Sequence, residues 1–151
     1  PAALLPPLGH APRILDMLPN KRDDDHVLAL FQRDGYWGAL AKSNFAGLRF
    51  REPIYRTLRE LVLSYFEAYY NVAGEKTLRG YTVPLNLAAY DKLCWMTSDD
   101  RLDDIGVRLG QIRTVKLLTP RMVAALNPVD QRSYQAGLLG VNEAGLYKPP
   151  K

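Results

Sequence analysis

The sequence predicts an α+β fold: a small antiparallel sheet with helices packed on one side of it. Three observations predict this. Two apolar runs, residues 25–32 and 36–42, flank the dipeptide Asp34-Gly35, and glycine accepts the positive φ of a tight hairpin turn. Ile54, Tyr55, Leu58, Leu61, Val62, Tyr65, Phe66 and Tyr69 recur at offsets of three and four, the apolar stripe of a helix over 53–71. Thr119-Pro120 is a helix start, a capping hydroxyl followed by the residue whose missing N–H costs nothing in the first turn.

The elements follow in order. Ala2 to Leu5 are apolar helix formers, and Pro6-Pro7 and Gly9 punctuate them, so residues 2–9 read as the tail of a helix. Residues 12–18 form a short apolar run between prolines and read as a strand, followed by a polar loop to Asp24. The hairpin then pairs Arg33 with Tyr36. Counting outward, Leu30 meets Ala39, Leu28 meets Ala41 and His26 meets Ser43, while a one-residue bulge brings Asn44 opposite His26 instead. Pro53 opens the aromatic-rich helix, whose aromatics lie mostly among its leucines, as core packing; Tyr70 leaves the stripe toward a surface groove. Residues 77–84 read as extended and 87–96 as a short helix. A helix over 98–109 is capped by Ser98, another covers 119–127, and a further one falls near 129–139. Tyr147 onward reads as a frayed tail.

Composition sets the limits on function. With 151 residues, 47% apolar and 24% charged, the chain suits one domain able to bury a core without metals or disulfides. The division is a core over about residues 2–100 and a helical extension over about 101–146. The net charge of +4 is scattered, and its densest group, Arg49, Arg51, Arg56 and Arg59, reads as a solvated helix face rather than a nucleic-acid stripe. One cysteine excludes an internal disulfide and a multi-cysteine zinc site, which favours a reducing, cytoplasmic setting. No run is long enough to span a bilayer, so no membrane role is expected. Two histidines and one cysteine make no spaced metal set, residues 98–104 lack the glycine of a calcium loop, and Gly106 and Gly110 lack the spacing and lysine of a phosphate loop. Neither metal nor cofactor is expected.

The candidate chemistry centres on His26. A lone histidine on a strand with Leu28 and Leu30 is usually structural. Asp23, Asp24 and Asp25 are either a solvated loop or a source of negative charge that raises its pKa. A histidine base needs an orienting partner, and the pairing count brings Ser43 and Asn44 within range. Ser43 lies in no Gly-x-Ser-x-Gly elbow. Cys94, between Leu93 and Trp95-Met96, reads as a small buried hydrophobe rather than a thiolate. His10 reads as the residue that leads into the first strand.

The order "ALLPPLGHAPRILDML … DDDHVLALFQRDGYWGALAKSN" resembles the core of the transglutaminase-like, papain-like cysteine enzymes. There a cysteine-bearing helix ends in a leucine-glycine turn, a strand follows, and an antiparallel hairpin carries the histidine on one strand and an aspartate or asparagine near the end of the next. The stretch "WGALAKSNFAGLRFREPIYRTLRELVLSYFEAYY" further resembles an uncharacterised bacterial family assigned to that superfamily, over roughly residues 2–100. The resemblance implies a papain/transglutaminase-like core, His26 as the base, Asn44 (with Ser43 as the alternative) as its orienter, and Trp37 as a packing residue. It implies amide, peptide or isopeptide substrates. It puts the nucleophilic cysteine about four helical turns upstream of Leu8-Gly9, before Pro1. Permuted relatives place histidine before cysteine, which keeps Cys94 in view. The chain opens on Pro1 without a methionine, so the expectation is an N-terminally incomplete domain, inactive without its nucleophile. The other reading is a noncatalytic binding or assembly domain that keeps the fold. Loss of the helix is expected to uncover an apolar sheet face and favour a homo-oligomer.

Overall fold

The structure, a computed structural model, describes residues 1–97 and 102–148. Its centre is a seven-stranded antiparallel sheet built from β1 (Arg13–Pro19), β2 (His26–Arg33), β3 (Tyr36–Leu40), β4 (Phe50–Tyr55), β5 (Leu78–Thr82), β6 (Leu85–Asn86) and β7 (Thr114–Lys116). The spatial order is β4-β3-β2-β1-β5-β7, with β6 also on β1. The fold is thus α+β with an antiparallel sheet.

The hairpin forms in the expected register: Arg33 faces Tyr36 and Leu30 faces Ala39. Asp34 and Gly35 both take positive φ, 52° and 82°, the left-handed pair whose twist matches the flanking strands. The β2–β3 ladder ends at Ala29 and Leu40, while the pairing of β3 with its other neighbour runs one residue further, the Ala41 N–H donating to the Arg49 carbonyl at 2.7 Å. Beyond that point the strands diverge, and the cavity described below opens between them.

β1 shares its second edge between two strands, β6 at Arg13 and Ile14 and β5 from Met17 to Pro19. Where the partners change, the Asp16 N–H donates to the Thr82 hydroxyl at 2.9 Å. A side chain there satisfies a donor that neither strand reaches.

The helix expected over 53–71 begins later. Residues 50–55 form β4, where exposure alternates and Ile54 is 67% exposed. Proline biases the residue before it away from helix, and β4 is an edge strand, where proline is tolerated. The helix proper, α1 (Leu58–Leu63), starts at a capping box: the Thr57 hydroxyl accepts from the Glu60 N–H, and the Glu60 carboxylate accepts from the Thr57 N–H. A 3-10 turn, Phe66–Ala68, continues it. Leu61, Val62, Tyr65 and Tyr69 still form the buried stripe, against Leu15, Met17, Leu28 and Leu30. Tyr70 does not reach a surface groove: it is buried, and its hydroxyl donates to the Ser133 carbonyl at 3.1 Å. A Cβ on Gly137 would lie 1.7 Å from that hydroxyl oxygen, so the contact requires glycine.

The N-terminal residues are two 3-10 turns, Ala2–Leu4 and Pro6–Leu8, rather than a continuous helix tail. Residues 87–93 form a longer 3-10 helix. Then come α2 (Leu102–Gln111), α3 (Pro120–Ala124) and α4 (Gln131–Gly137). Thr119 and Asp130 cap α3 and α4 with side-chain acceptors; the expected cap at Ser98 lies outside the described residues. The C-terminal third is not purely helical, because β7 adds a strand to the sheet at β5. Nor do the helices keep to one side. α1 covers the face of Leu15 and Leu28, while Ile105 and Leu109 of α2 join Ile14, Leu87 and Trp95 in a second cluster, and Leu5 packs on Ala29 and Phe31. With period-two alternation along β1 and β2, these smaller clusters lie on the opposite face.

Candidate functional site

The loop that carries the three aspartates is pinned at every step. The Asn20 N–H donates to the Thr77 carbonyl at 2.9 Å, and the Thr77 hydroxyl donates to the Asp23 carboxylate. The Asn71 amide donates to the Arg22 carbonyl at 3.1 Å, and the Tyr69 hydroxyl to the Asp24 carbonyl at 2.8 Å. Asn71, Thr77 and Tyr69 are all buried, so residues 20–25 have a fixed path into β2. Within the loop two of the three aspartates cap their successors, the Asp23 and Asp24 carboxylates accepting the next N–H.

The loop delivers His26 to one end of a cavity of about 410 Å³. Asp23, Asp24, Asp25, Ser43, Asn44, Phe45, Leu48 and Tyr69 line it, together with residues 144–147 of the C-terminal segment. The expected neighbours of His26 thus share one cavity with it. Within it they bond elsewhere. The His26 ring meets the Leu48 carbonyl, with Nε2 3.4 Å from that oxygen. A carbonyl only accepts, so this contact assigns the proton of the neutral ring to Nε2 and leaves Nδ1 as the acceptor. The Asn44 amide is committed to the main chain of Asn142, Nδ2 donating to its carbonyl at 2.9 Å and Oδ1 accepting from its N–H at 2.8 Å. The Ser43 hydroxyl accepts from the Phe45 N–H at 3.1 Å in a local turn. Among the described residues no hydrogen bond joins His26 to Ser43 or Asn44.

Burial lowers the His26 pKa from its ordinary value, outweighing the Leu48 carbonyl and the charges of Asp25, Asp23 and Asp24, which act the other way. The aspartates therefore do not set the direction; desolvation does. The same cause raises the Asp23 carboxyl and the Tyr69 hydroxyl. Asp16, which faces Val27 across the ladder, is 4% exposed, and one of its carboxyl oxygens has no partner among the described residues. Burial first, then the charge and hydrogen bond of Asp25, push its carboxyl up to about 7, against the pull of the His26 main-chain N–H.

Two contributions were not visible in the sequence. The Leu48 carbonyl is a main-chain group at the end of the 3-10 turn Ala46–Leu48, and no residue type signals it. Arg51 braces that turn. Its guanidinium donates to the carbonyls of Gly47 at 3.0 Å, Phe50 at 2.8 Å and Ser64 at 3.0 Å, donates to the Ser64 hydroxyl at 2.9 Å, and lies 3.9 Å from the centre of the Tyr65 ring. In the sequence it read as part of a solvated helix face. Cys94 is exposed, not buried, in a left-handed conformation with φ 51° after the 3-10 helix 87–93. It lines neither cavity that His26 borders.

The described residues hold no cluster of histidine, cysteine and carboxylate side chains suited to a metal ion, and none of their helices is long and apolar enough to cross a membrane. No family's sequence profile matches the chain, and no curated protein matches it.

Proposed function

We propose that this chain is the sheet and base of a transglutaminase-like, papain-like cysteine enzyme acting on amide, peptide or isopeptide carbonyls. The thiol would come from a helix upstream of Pro1, where the resemblance puts it. One observation carries the reading: a part-buried imidazole stands at the wall of a cavity, its pKa lowered by burial, with Nε2 3.4 Å from a carbonyl and Nδ1 left to accept. In the reaction the cysteine sulfur attacks the carbonyl carbon while Nδ1 takes the thiol proton. The imidazolium returns that proton to the departing amine, and water or a second amine resolves the acyl-enzyme. The charges of Asp25, Asp23 and Asp24 favour the imidazolium when it forms. The Leu48 carbonyl, not Asn44, holds the ring in this arrangement, because both atoms of the Asn44 amide are engaged by Asn142.

The test is labelling of the protein made from its whole reading frame with a peptidyl chloromethyl ketone. The expected label sits on a cysteine other than Cys94 and forms about a hundredfold more slowly in His26→Ala, the lower end of what a general base contributes. A label on Cys94, a label indifferent to His26, or none, overturns the enzyme reading. The second reading, a noncatalytic binding domain, is favoured by a specific observation: Asn44, on the cavity wall, already pairs through both atoms of its amide with the main chain of another segment, at Asn142.

A further inference from the structure

We propose that the Asn44 wall of the His26 cavity is a peptide-binding site in which Asn44 reads the ligand's main chain, and that residues 142–147 of this chain, which sit on Asn44 and close one wall of that cavity, are the site's resident, displaceable occupant. The Asn44 amide donates to the carbonyl and accepts from the N–H of one and the same residue, Asn142, ninety-eight positions away in sequence. A side-chain amide used this way offers what a neighbouring strand would offer, a donor and an acceptor that any non-proline residue satisfies. The recognition is therefore of peptide backbone, not of one side chain.

The occupant is lightly held. Among the described residues its other hydrogen bonds are local: the N–H of Ala144 to the Asn142 side chain, of Gly145 to the Asn142 carbonyl, and of Leu146 to the Glu143 carbonyl. Asn142 to Gly145 are exposed and Leu146 is half-buried. The two Asn44 bonds and the Leu146 side chain thus do most of the holding. The shape of the ligand follows from the occupant: a residue paired to Asn44, a single 3-10 turn (Glu143–Gly145), then an apolar and an aromatic residue against the cavity. The position three after the paired residue lies against Asn44, since a Cβ on Gly145 would make van der Waals contact with the Asn44 amide nitrogen at 3.4 Å. A tethered occupant competes at a high effective concentration, so free peptide gains little until the tail is released.

For its ligand class the proposal rests on the peptide-amide reading above. Binding is measured without any thiol, so a failed labelling experiment leaves this proposal standing, and a failed binding experiment leaves the labelling standing. The probe is the fluorescein-labelled peptide VNEAGLYK, followed by anisotropy on the full chain. Asn142→Pro removes the N–H that Asn44 accepts, and with Leu146→Asp it unseats the tail while leaving Asn44 and His26 intact. The released variant is expected to bind the peptide at least about tenfold tighter than the parent chain. Adding Asn44→Ala is expected to abolish that gain. Equal binding by the parent and released chains, no binding by either, or binding indifferent to Asn44→Ala overturns the proposal. Amide exchange on the otherwise unchanged protein guards against misfolded variants: Asn44→Ala is expected to speed exchange at residues 142 and 144–146 with β1 and β2 unaffected, and unchanged exchange there also overturns it.

Discussion

The two faces of the sheet bury a titrating group in opposite ways near the start of β2. On the α1 face, Leu15, Met17, Leu28 and Leu30 are at most 1% exposed, and His26 stands at the margin of this dry core with its pKa lowered. On the other face Val27 is 39% exposed beside a cavity of about 480 Å³ lined by Ile14, Ala29, Trp95 and Ile105, while Asp16 is buried with its carboxyl pushed up to about 7. The cause is the same, loss of water around the charged form. The consequence differs in sign. Lowering a histidine costs stability as pH falls below its ordinary value, and raising a carboxylate costs stability as pH climbs above its own. One face therefore loses stability toward acid and the other toward neutral pH.

Cutting one side chain from each face tests the comparison most strongly. Leu28→Ala empties a position in the closed core and is expected to cost about 2–5 kcal/mol. Its neighbour Val27, on the open face, is expected to cost about 1 kcal/mol or less as alanine, since much of its surface is already wet. Urea denaturation of the two variants decides it. Equal costs would mean that the open face is as well packed as the closed one.

Asp16→Asn comes next. The folded carboxyl at about 7 stands above its ordinary 3.8, so the folded chain binds the proton more tightly than the unfolded one. Its cost sets in as pH rises past about 4 and is complete above about 7. The amide carries no charge and can still donate to Asp25. At pH 8 the variant is expected to gain on the order of 2–4 kcal/mol, at about 1.4 kcal/mol per tenfold change in proton affinity. At pH 4 the gain should nearly vanish. Denaturation at the two pH values measures it, and a variant no more stable at pH 8 would show that Asp25 or water, not burial, decides the Asp16 charge.

The same contrast separates what was legible in the sequence from what was not. Asp34-Gly35 set the hairpin register because turn chemistry is local, and the register brought His26 near Ser43 and Asn44. The count could not see that the β2–β3 ladder stops at Ala29 and Leu40, short of His26, while β3 stays paired to the segment before β4 through Ala41 and Arg49. The partners of His26 and Asn44 are non-local: a main-chain carbonyl from Leu48 and a tail residue 98 positions from Asn44. No spacing rule reaches that far. β4 was hidden for another reason. Ile54 and Tyr55 happen to continue the three-and-four stripe of the residues after them, and periodicity alone does not see where a helix starts.

The start of α1 was nevertheless written in the sequence, as Thr57-x-x-Glu60, and it gives the smallest of the tests. If the box, rather than the run of apolar residues, sets where β4 ends and α1 begins, Thr57→Ala should cost about 1 kcal/mol. The loss should fall on the closed face, because α1 carries Leu61 and Val62 into the core against Leu15 and Leu28. Amide exchange in the variant should quicken first at residues 58–63, with the open-face cluster of Ile14, Leu87 and Trp95 unmoved. Faster exchange spread evenly over both faces would mean that the sheet opens as one unit and that the contrast between its faces is one of packing only.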